Sequence, residues 1–404
     1  MFTTPMLLSG LMGFASGLPL LLTLSTLQAW MKDSKVSLAT IGLTAFIGLP
    51  YTLKFLWAPL IDRYQLPIGV QGRRRSWLVL TQILLILAIV ALANSSPTVN
   101  LWGTACAALV LAFFSATQDI VVDAYRRESL KDVEQGLGSA MYVNGYRVGM
   151  LLAGGGALAL ADAIGFQKMY WVMAVAMSAG VLTTLFAPEP DTEASVPKSL
   201  QEAVVQPFVE FFTRPGATLT LLFILLYKLG DTLAGAITTP FYMDLGFSKT
   251  EIGAVVKLWG FWATLVGGTI GGILILRFGV ARTLFWFGVG QMLSTFGFVL
   301  LAHTGHNLPM LASVIAFENF TGGMGTAVFV GFMGSLTDKR FTATQYALLS
   351  SLMGVPRVIL SAPMGFFASA WGWPTYFVFC TLIALPGLYL ALKAKSWLQQ
   401  EKTA

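Results

Sequence analysis

Charge is what this sequence has least of. Of 404 residues only 11% are Asp, Glu, Lys or Arg, and 56% are hydrophobic. A soluble domain carries about 25% charge, so a water-soluble fold is excluded and a chain that crosses the membrane many times is expected. Cysteine and histidine are equally scarce, with two of each. Cys106 and Cys380 both lie in apolar runs, so neither a disulfide framework nor a thiolate metal site is expected. His303 and His306 share one short loop and read as polar loop residues, which leaves no metal site and no cofactor. No Gly-x4-Gly-Lys-Ser/Thr sequence occurs, and no soluble stretch is long enough to hold ATP. An ATP-driven pump would need a separate subunit. No Ser-His-Asp set stands out, so an enzyme is not expected; a membrane-embedded transferase is the enzymatic alternative. The net charge of +6 does not point to nucleic acid, because the basic residues sit in short turns between apolar runs.

Apolar runs are what the sequence does have. Twelve are long enough to cross about 30 Å of hydrocarbon. They fall near 4–31, 39–61, 76–94, 101–127, 137–161, 168–187, 216–242, 250–276, 280–302, 309–336, 343–370 and 374–396. The first lacks a basic leader and is followed by many more, so it reads as a span and not as a signal peptide. Loops on the side of the termini are rich in Lys and Arg, as at Arg73 to Arg75, Arg126, Arg127, Lys339 and Arg340. The opposite loops hold Lys32, Lys35, Lys168 and Lys249. This asymmetry puts both termini in the cytoplasm. The longest loop, 188–215, begins Pro-rich and acidic and ends in a stretch with Leu200, Val204, Val205, Phe208, Phe211 and Phe212 at helical spacing. An amphipathic helix on the cytoplasmic face is expected there.

That loop divides the chain into an N-terminal six-helix bundle at 1–187, a linker at 188–215 and a C-terminal six-helix bundle at 216–404. The halves repeat weakly. YVNGYRVGMLLAGG (142–155) matches LMGVPRVILSAPMG (352–365), and SLATIGL (37–43) matches SKTEIGA (248–254). A near-constant offset of about 210 residues argues for internal duplication, hence an all-α integral membrane fold of the major facilitator kind, with two pseudo-symmetric six-helix bundles around a cavity.

Ionisable residues inside the spans carry the chemistry. A charge there costs about 2.5–3.5 kcal/mol on insertion scales, so such residues are expected to line a water-filled cavity. The cations are Lys54, Arg147, Lys228, Lys257 and Arg357; the acids are Asp119, Asp123, Asp231 and Glu318. More cations than acids points to a substrate bearing carboxylates or phosphates. Lys54, Arg147, Lys228 and Arg357 are the expected anion ligands, with Gln118 and Asn144 as neutral partners. Asp119 is the first candidate for proton coupling, with Asp231 and Glu318 after it. Asp119 and Asp123 share one helical face at i,i+4, Asn144 and Arg147 share one at i,i+3, and so do Lys228 and Asp231. Lys54 is placed to pair with Asp119. Gly145, Gly149 and Gly154 to Gly156 allow close helix packing, with a sliding surface as the sharper alternative. Trp30, Tyr51, Tyr142, Tyr146, Trp259 and Trp262 are placed to stack on sugars or to contact lipid. Between the second and third spans lies APLIDRYQLPIGVQGRRRSW (58–77). Its Asp62-Arg63 and Gly72-Arg73-Arg74 fit the facilitator loop pattern, with Ala58 where glycine is usual. Asp62, Arg63, Arg73 and Asp123 are therefore assigned to a charged gate, Asp123 pairing with Arg63; for Arg73 to Arg75 the alternative is an orientation signal alone.

GFASGLPLLL (13–22), YTLKFLWAPLIDRY (51–64), GRRRSWLVLTQ (72–82) and SATQDIVVDAYRRE (115–128) resemble the AmpG muropeptide permease family. The resemblance continues more weakly through 228–253 and 317–352. It implies a bacterial inner-membrane importer of GlcNAc-anhydro-muropeptides driven by the proton gradient. Such a protein serves cell-wall recycling and, through it, β-lactamase induction. The expected partners are the muropeptide, protons and membrane lipids, and the expected state is a monomer. The KxxWAPxxD and TQDxxxD patterns also occur in acetyl-CoA transporters, which remain an alternative. A sensor that binds a wall fragment without moving it is another.

Overall fold

The computed structural model describes residues 3–36, 44–67, 69–190, 199–248, 251–356, 360–361 and 363–393. Every regular element among them is helical. Arg357 and the repeat segment 37–43 lie outside the described residues, as does the side chain of Lys257.

The chain forms two compact units. The first comprises Met1–Asp132, Met141–Phe208 and Thr337–Ser351; the second comprises Val133–Ala140, Val209–Leu336 and Leu352–Ala404. In chain order the helices are α1 (Thr4–Thr23), α2 (Ser25–Asp33), α3 (Leu49–Leu53), α4 (Ala58–Arg63), α5 (Arg73–Ala93), α6 (Leu101–Ser129), α7 (Gln135–Leu151), α8 (Ala157–Ile164), α9 (Phe166–Phe186) and α10 (Leu200–Thr213). Then follow α11 (Ala217–Leu226), α12 (Leu229–Ala236), α13 (Thr238–Asp244), α14 (Gly260–Phe278), α15 (Val280–Thr304), α16 (Leu308–Ser335), α17 (Thr342–Val355), α18 (Met364–Trp371), α19 (Trp373–Leu382) and α20 (Leu385–Ala391).

Among the described residues, nine helices are long and apolar enough to cross a membrane. The other three expected spans differ for separate reasons. The run at 39–61 is broken into short helices, with Phe46–Leu56 as its apolar core. The run at 309–336 is α16, which has 28 residues but carries Glu318, Asn319 and a glycine-rich stretch that lower its hydropathy. The run at 343–370 is described as α17 and α18 with undescribed residues between them. The amphipathic helix expected in the long loop is present as α10.

Within the first unit, α1 carries a proline inside its helical run. Pro19 has no N–H, so the carbonyl of Ala15 loses its helical donor. Gln118 of α6 replaces it, its Nε2 donating to Ala15 O at 2.9 Å. At Leu24 the helix breaks (φ −112°, ψ −101°) and α2 begins. Beside the break, α7 runs into a π-helical turn at Leu152–Gly156. Such a turn loosens the backbone ladder, and Thr26 Oγ1 donates to Ala153 O at 2.6 Å.

Helices α1 and α7 touch backbone to backbone. A Cβ on Gly13 or Gly17 would collide with the carbonyls of Tyr142 or Tyr146, and one on Gly145 or Gly149 with those of Gly10 or Phe14. Lipid offers no hydrophobic drive between helices, so this close van der Waals contact holds them. Gly145→Ala is expected to cost about 1–3 kcal/mol of overpacking, read as a fall in Tm of the purified protein. Gly155→Ala is the control, because its Cβ meets nothing within 4 Å.

The second unit uses the same device between α14 and α16, where Gly267 meets the backbone of Phe320 and Gly323 that of Thr264. Its aromatic core joins Phe241, Phe298 and Phe377, and Tyr376 Oη ties α19 to Leu233 O at 2.7 Å. Ser248 and Glu251 form a reciprocal capping box, with both Ser248 N and Oγ donating to Glu251 Oε2 at 2.8 Å.

Candidate functional site: a charged latch and buried polar clusters

Helix α5 begins on the basic turn. Its first N–H groups are orphaned by helix geometry. Glu189, just past α9, accepts from Arg74 N at 2.8 Å and Arg75 N at 3.0 Å. Gly72 precedes them at φ +101°, and a Cβ there would strike the Glu189 carboxylate. The turn thereby aims Arg74 inward, where it is fully buried. Its Nε donates to Glu128 at 2.9 Å, its Nη1 to Ile61 O at 3.1 Å, and its Nη2 to Asp62 at 2.8 Å. Arg73 donates to the Asp62 carbonyl and lies 3.8 Å from Glu128.

Asp62 is also fully buried, and its carboxylate closes a second helix end. It accepts from Ala343 N at 3.1 Å, Thr344 N at 2.8 Å and Thr344 Oγ1 at 2.7 Å. These are first-turn groups of α17, so Asp62 caps that helix from a distant part of the chain and meets the positive end of its dipole. Gln345 secures the same turn, donating to Pro207 O at 3.1 Å and accepting from Asp338 N at 2.7 Å. This latch is all within the first unit.

Deeper in the same unit, Lys54 Nζ lies 3.8 Å from Asp123, and Arg126 lies 3.7 Å from it. Lys54 therefore reaches Asp123, one turn beyond the Asp119 expected from the sequence. Asp123 pairs with Lys54 and Arg126 instead of Arg63. Arg126 is fully buried, 5.3 Å from the centres of both the Tyr142 and Tyr346 rings. Asp119 is buried and its Oδ1 has no hydrogen-bond partner among the described residues. Asn144 and Arg147 are half-buried on α7. Gln118 donates through its amide nitrogen to Ala15, and its buried oxygen has no hydrogen-bond partner among the described residues.

In the second unit, Lys228 and Asp231 pair at 3.4 Å. Lys228 Nζ also donates to Thr326 at 2.8 Å, and Gln291 Nε2 approaches Asp231 at 3.4 Å. Lys228 stands at the break between α11 and α12, with φ −104° and ψ 12°, so its side chain leaves the helix at a bend. Glu318 accepts from Asn319 at 2.8 Å, and Asn319 accepts from Thr264 at 3.0 Å. Of the aromatic candidates, Trp30 is stacked on Phe166 at 6.0 Å and 12°, while Trp259 and Trp262 are exposed.

Asp231 is held by one Lys and one amide, so removal of the cation strands it. Lys228→Ala is expected to cost about 1–3 kcal/mol, whereas the double change Lys228→Ala with Asp231→Ala recovers part of the loss. Thermal denaturation of the three variants measures this.

The Major Facilitator Superfamily model matches residues 6–243 and 220–399. The anhydromuropeptide permease of Escherichia coli is 47% identical over 96% of this chain and 79% of its own length. The chain belongs to the AmpG permease family. A putative AmpG transporter of Rickettsia conorii is 37% identical, covering 95% of this chain and 94% of that protein. Among solved structures, the fucose–proton symporter FucP of E. coli superposes with a TM-score of 0.73 at 14% identity, over 96% of this chain and 98% of that one. The xylose–proton symporter XylE gives 0.69 at 12% identity, over 98% and 94%. The fold is thus the all-helical major facilitator fold, and this AmpG relative is a multi-pass membrane transporter.

Four residues of the latch and its surroundings escaped the sequence reading. Glu128 ends the SATQDIVVDAYRRE segment and follows two arginines, and an acid there is ordinary in sequence. Glu189 sits in a Pro-rich linker. Arg126 reads in sequence as an orientation charge. Thr344 carries no charge at all, and only the Asp62 contact marks it.

Proposed function

We propose that this AmpG family member imports GlcNAc-1,6-anhydroMurNAc peptides from periplasm to cytoplasm by proton-coupled alternating access, as a monomer in the bacterial inner membrane with both termini cytoplasmic. The observation that carries the substrate is the 47% identity to the E. coli anhydromuropeptide permease across nearly the whole chain. In this reading Lys54, Arg147, Lys228 and Arg357 receive the substrate's carboxylates, with Asn144 and the Gln118 oxygen as neutral ligands. Asp119 carries the proton, and Asp231 and Glu318 are the secondary acids. Asp62, Arg63, Arg73 and Asp123 form the cytoplasmic gate together with Arg74 and Glu128. The Asp62 cap on α17 supports the gate assignment, because a helix end held by one carboxylate is released when that carboxylate moves.

The test is uptake into proteoliposomes under an inward proton gradient, with labelled anhydro-muropeptide and labelled acetyl-CoA offered in parallel. Muropeptide uptake that collapses with a protonophore is the expected result. Uptake of acetyl-CoA alone overturns the substrate, and binding without flux makes the protein a sensor.

A further inference from the structure

Several buried polar atoms around Asp119 lack a protein partner. Ser115, Gln118 and Asp119 stand at i, i+3 and i+4 of α6, on one face. Ser115 Oγ, Gln118 Oε1 and Asp119 Oδ1 are all buried, and so are Ser16 Oγ of α1 and Tyr51 Oη of α3. None of these five atoms has a hydrogen-bond partner among the described residues. They are nonetheless neighbours. Asp119 faces Ser16, and Tyr51 faces Ser115, Thr23 and Asp119. The Gln118 amide is pinned to Ala15, next to Ser16, so its oxygen is fixed in the same place.

Native interiors rarely leave such groups unmet, because each one loses its hydration without gaining a partner. Five at one spot, near enough for Ser16 to act on Asp119 and Ser115 on Tyr51 but with none of these atoms in full hydrogen-bond geometry, fit water bridges. A buried water takes 2–4 polar partners, and a polar contact beyond hydrogen-bond reach is what a bridging water spans. We propose that Ser16, Tyr51, Ser115 and Gln118 form a buried water site that hydrogen-bonds to Asp119 and carries its proton. The hydroxyls of Ser16, Ser115 and Tyr51 both donate and accept, so a proton passes along them without any heavy atom moving. The Gln118 oxygen only accepts and orients one water. The charged and titratable groups around Asp119 are Lys54, Asp123, Tyr51, Tyr142 and Tyr346. Lys54 is paired with Asp123 at 3.8 Å and acts on Asp119 through its charge alone. The inference rests on the proposed role of Asp119 in coupling and adds to it the route of the proton. In the transfer one O–H bond of the donor breaks as one forms on the next oxygen, and no redox partner is needed.

The variants are Ser115→Ala and Tyr51→Phe, alone and together, with Ser115→Thr to restore a hydroxyl. Two readouts are taken on the full-length protein in liposomes. The first is proton influx on addition of anhydro-muropeptide, compared with substrate counterflow at equal pH. Loss of the hydroxyls is expected to slow proton influx about tenfold, leave counterflow intact, and be reversed by Ser115→Thr. Unchanged influx in the double variant overturns the proposal, and so does a parallel loss of counterflow, which marks a packing defect. The second readout needs no transport: the infrared carboxylic acid band that Asp119→Asn abolishes. Its proton is expected to exchange into D2O more slowly in Ser115→Ala and Tyr51→Phe than in the native protein. Equal exchange overturns the water site even if the substrate assignment also fails.

Discussion

Arg74→Ala is expected to lower the stability of the protein by about 3–5 kcal/mol, the cost of leaving buried carboxylates without their cation, and to abolish uptake. Arg74 is fully buried and serves three acceptors from one guanidinium: Glu128, Asp62 and the Ile61 carbonyl. Its removal takes the ion-pair partner from Asp62 and leaves Glu128 with Arg73 alone, 3.8 Å away. Arg74→Lys keeps the charge but loses the planar fork, so it cannot reach Glu128 and Asp62 together, and an intermediate loss is expected. Arg75→Ala is the matched control. Its Nη2 meets an exposed carbonyl at Leu185, 2.9 Å away, and such surface contacts are worth little. Thermal denaturation in detergent gives the stability order, and proteoliposome uptake gives the functional one. Asp62→Asn separates latch from stability. It keeps an acceptor for α17 but removes the charge that favours the helix's positive end, worth about 0.3–2 kcal/mol. A modest fall in Tm with a large change in uptake would place the effect on gating. If Arg74→Ala melts with the native protein, the buried network is not what holds the turn.

Spans and intramembrane charges were legible because each is a local property. An apolar run of twenty residues announces itself, and Asp119 or Asp123 stands out against valine and isoleucine. Choice of partner was not legible, because it depends on how helices rotate against each other. Lys54 was placed beside Asp119 by depth, yet a rotation of one turn gives it to Asp123 at 3.8 Å. Gln118 stands out in sequence as a polar residue, and its nitrogen repairs the carbonyl freed by Pro19. Pro19 was visible in the sequence, but nothing local says which helix supplies the missing donor. The same holds for Asp62. Its place in the basic loop fits a facilitator pattern, but its carboxylate meets the backbone of Ala343 and Thr344, nearly three hundred positions on. Glu128 and Glu189 were passed over because acids at helix ends and in linkers are ordinary, and only burial sets them apart.

Asp119→Asn is expected to abolish accumulation of substrate while sparing exchange. The substitution keeps the shape of the side chain and its neighbours but fixes it as neutral. With one proton per cycle, an inward gradient of one pH unit supports about tenfold accumulation, since each unit is worth 1.36 kcal/mol. Asp119→Asn should reduce this to equilibrium with the outside, because no group in the cycle then takes up and releases the proton. Exchange of labelled for unlabelled substrate needs the access change alone and should continue at close to the native rate. Asp123→Asn is expected to behave differently. Asp123 faces Lys54 and Arg126, so its loss leaves two buried cations against one another and should impair stability and exchange together. The contrast between two carboxylates one turn apart is the decisive measurement. Accumulation that survives Asp119→Asn removes Asp119 from coupling and moves the search to Asp231, whose pairing with Lys228 offers the other acid that a proton can discharge.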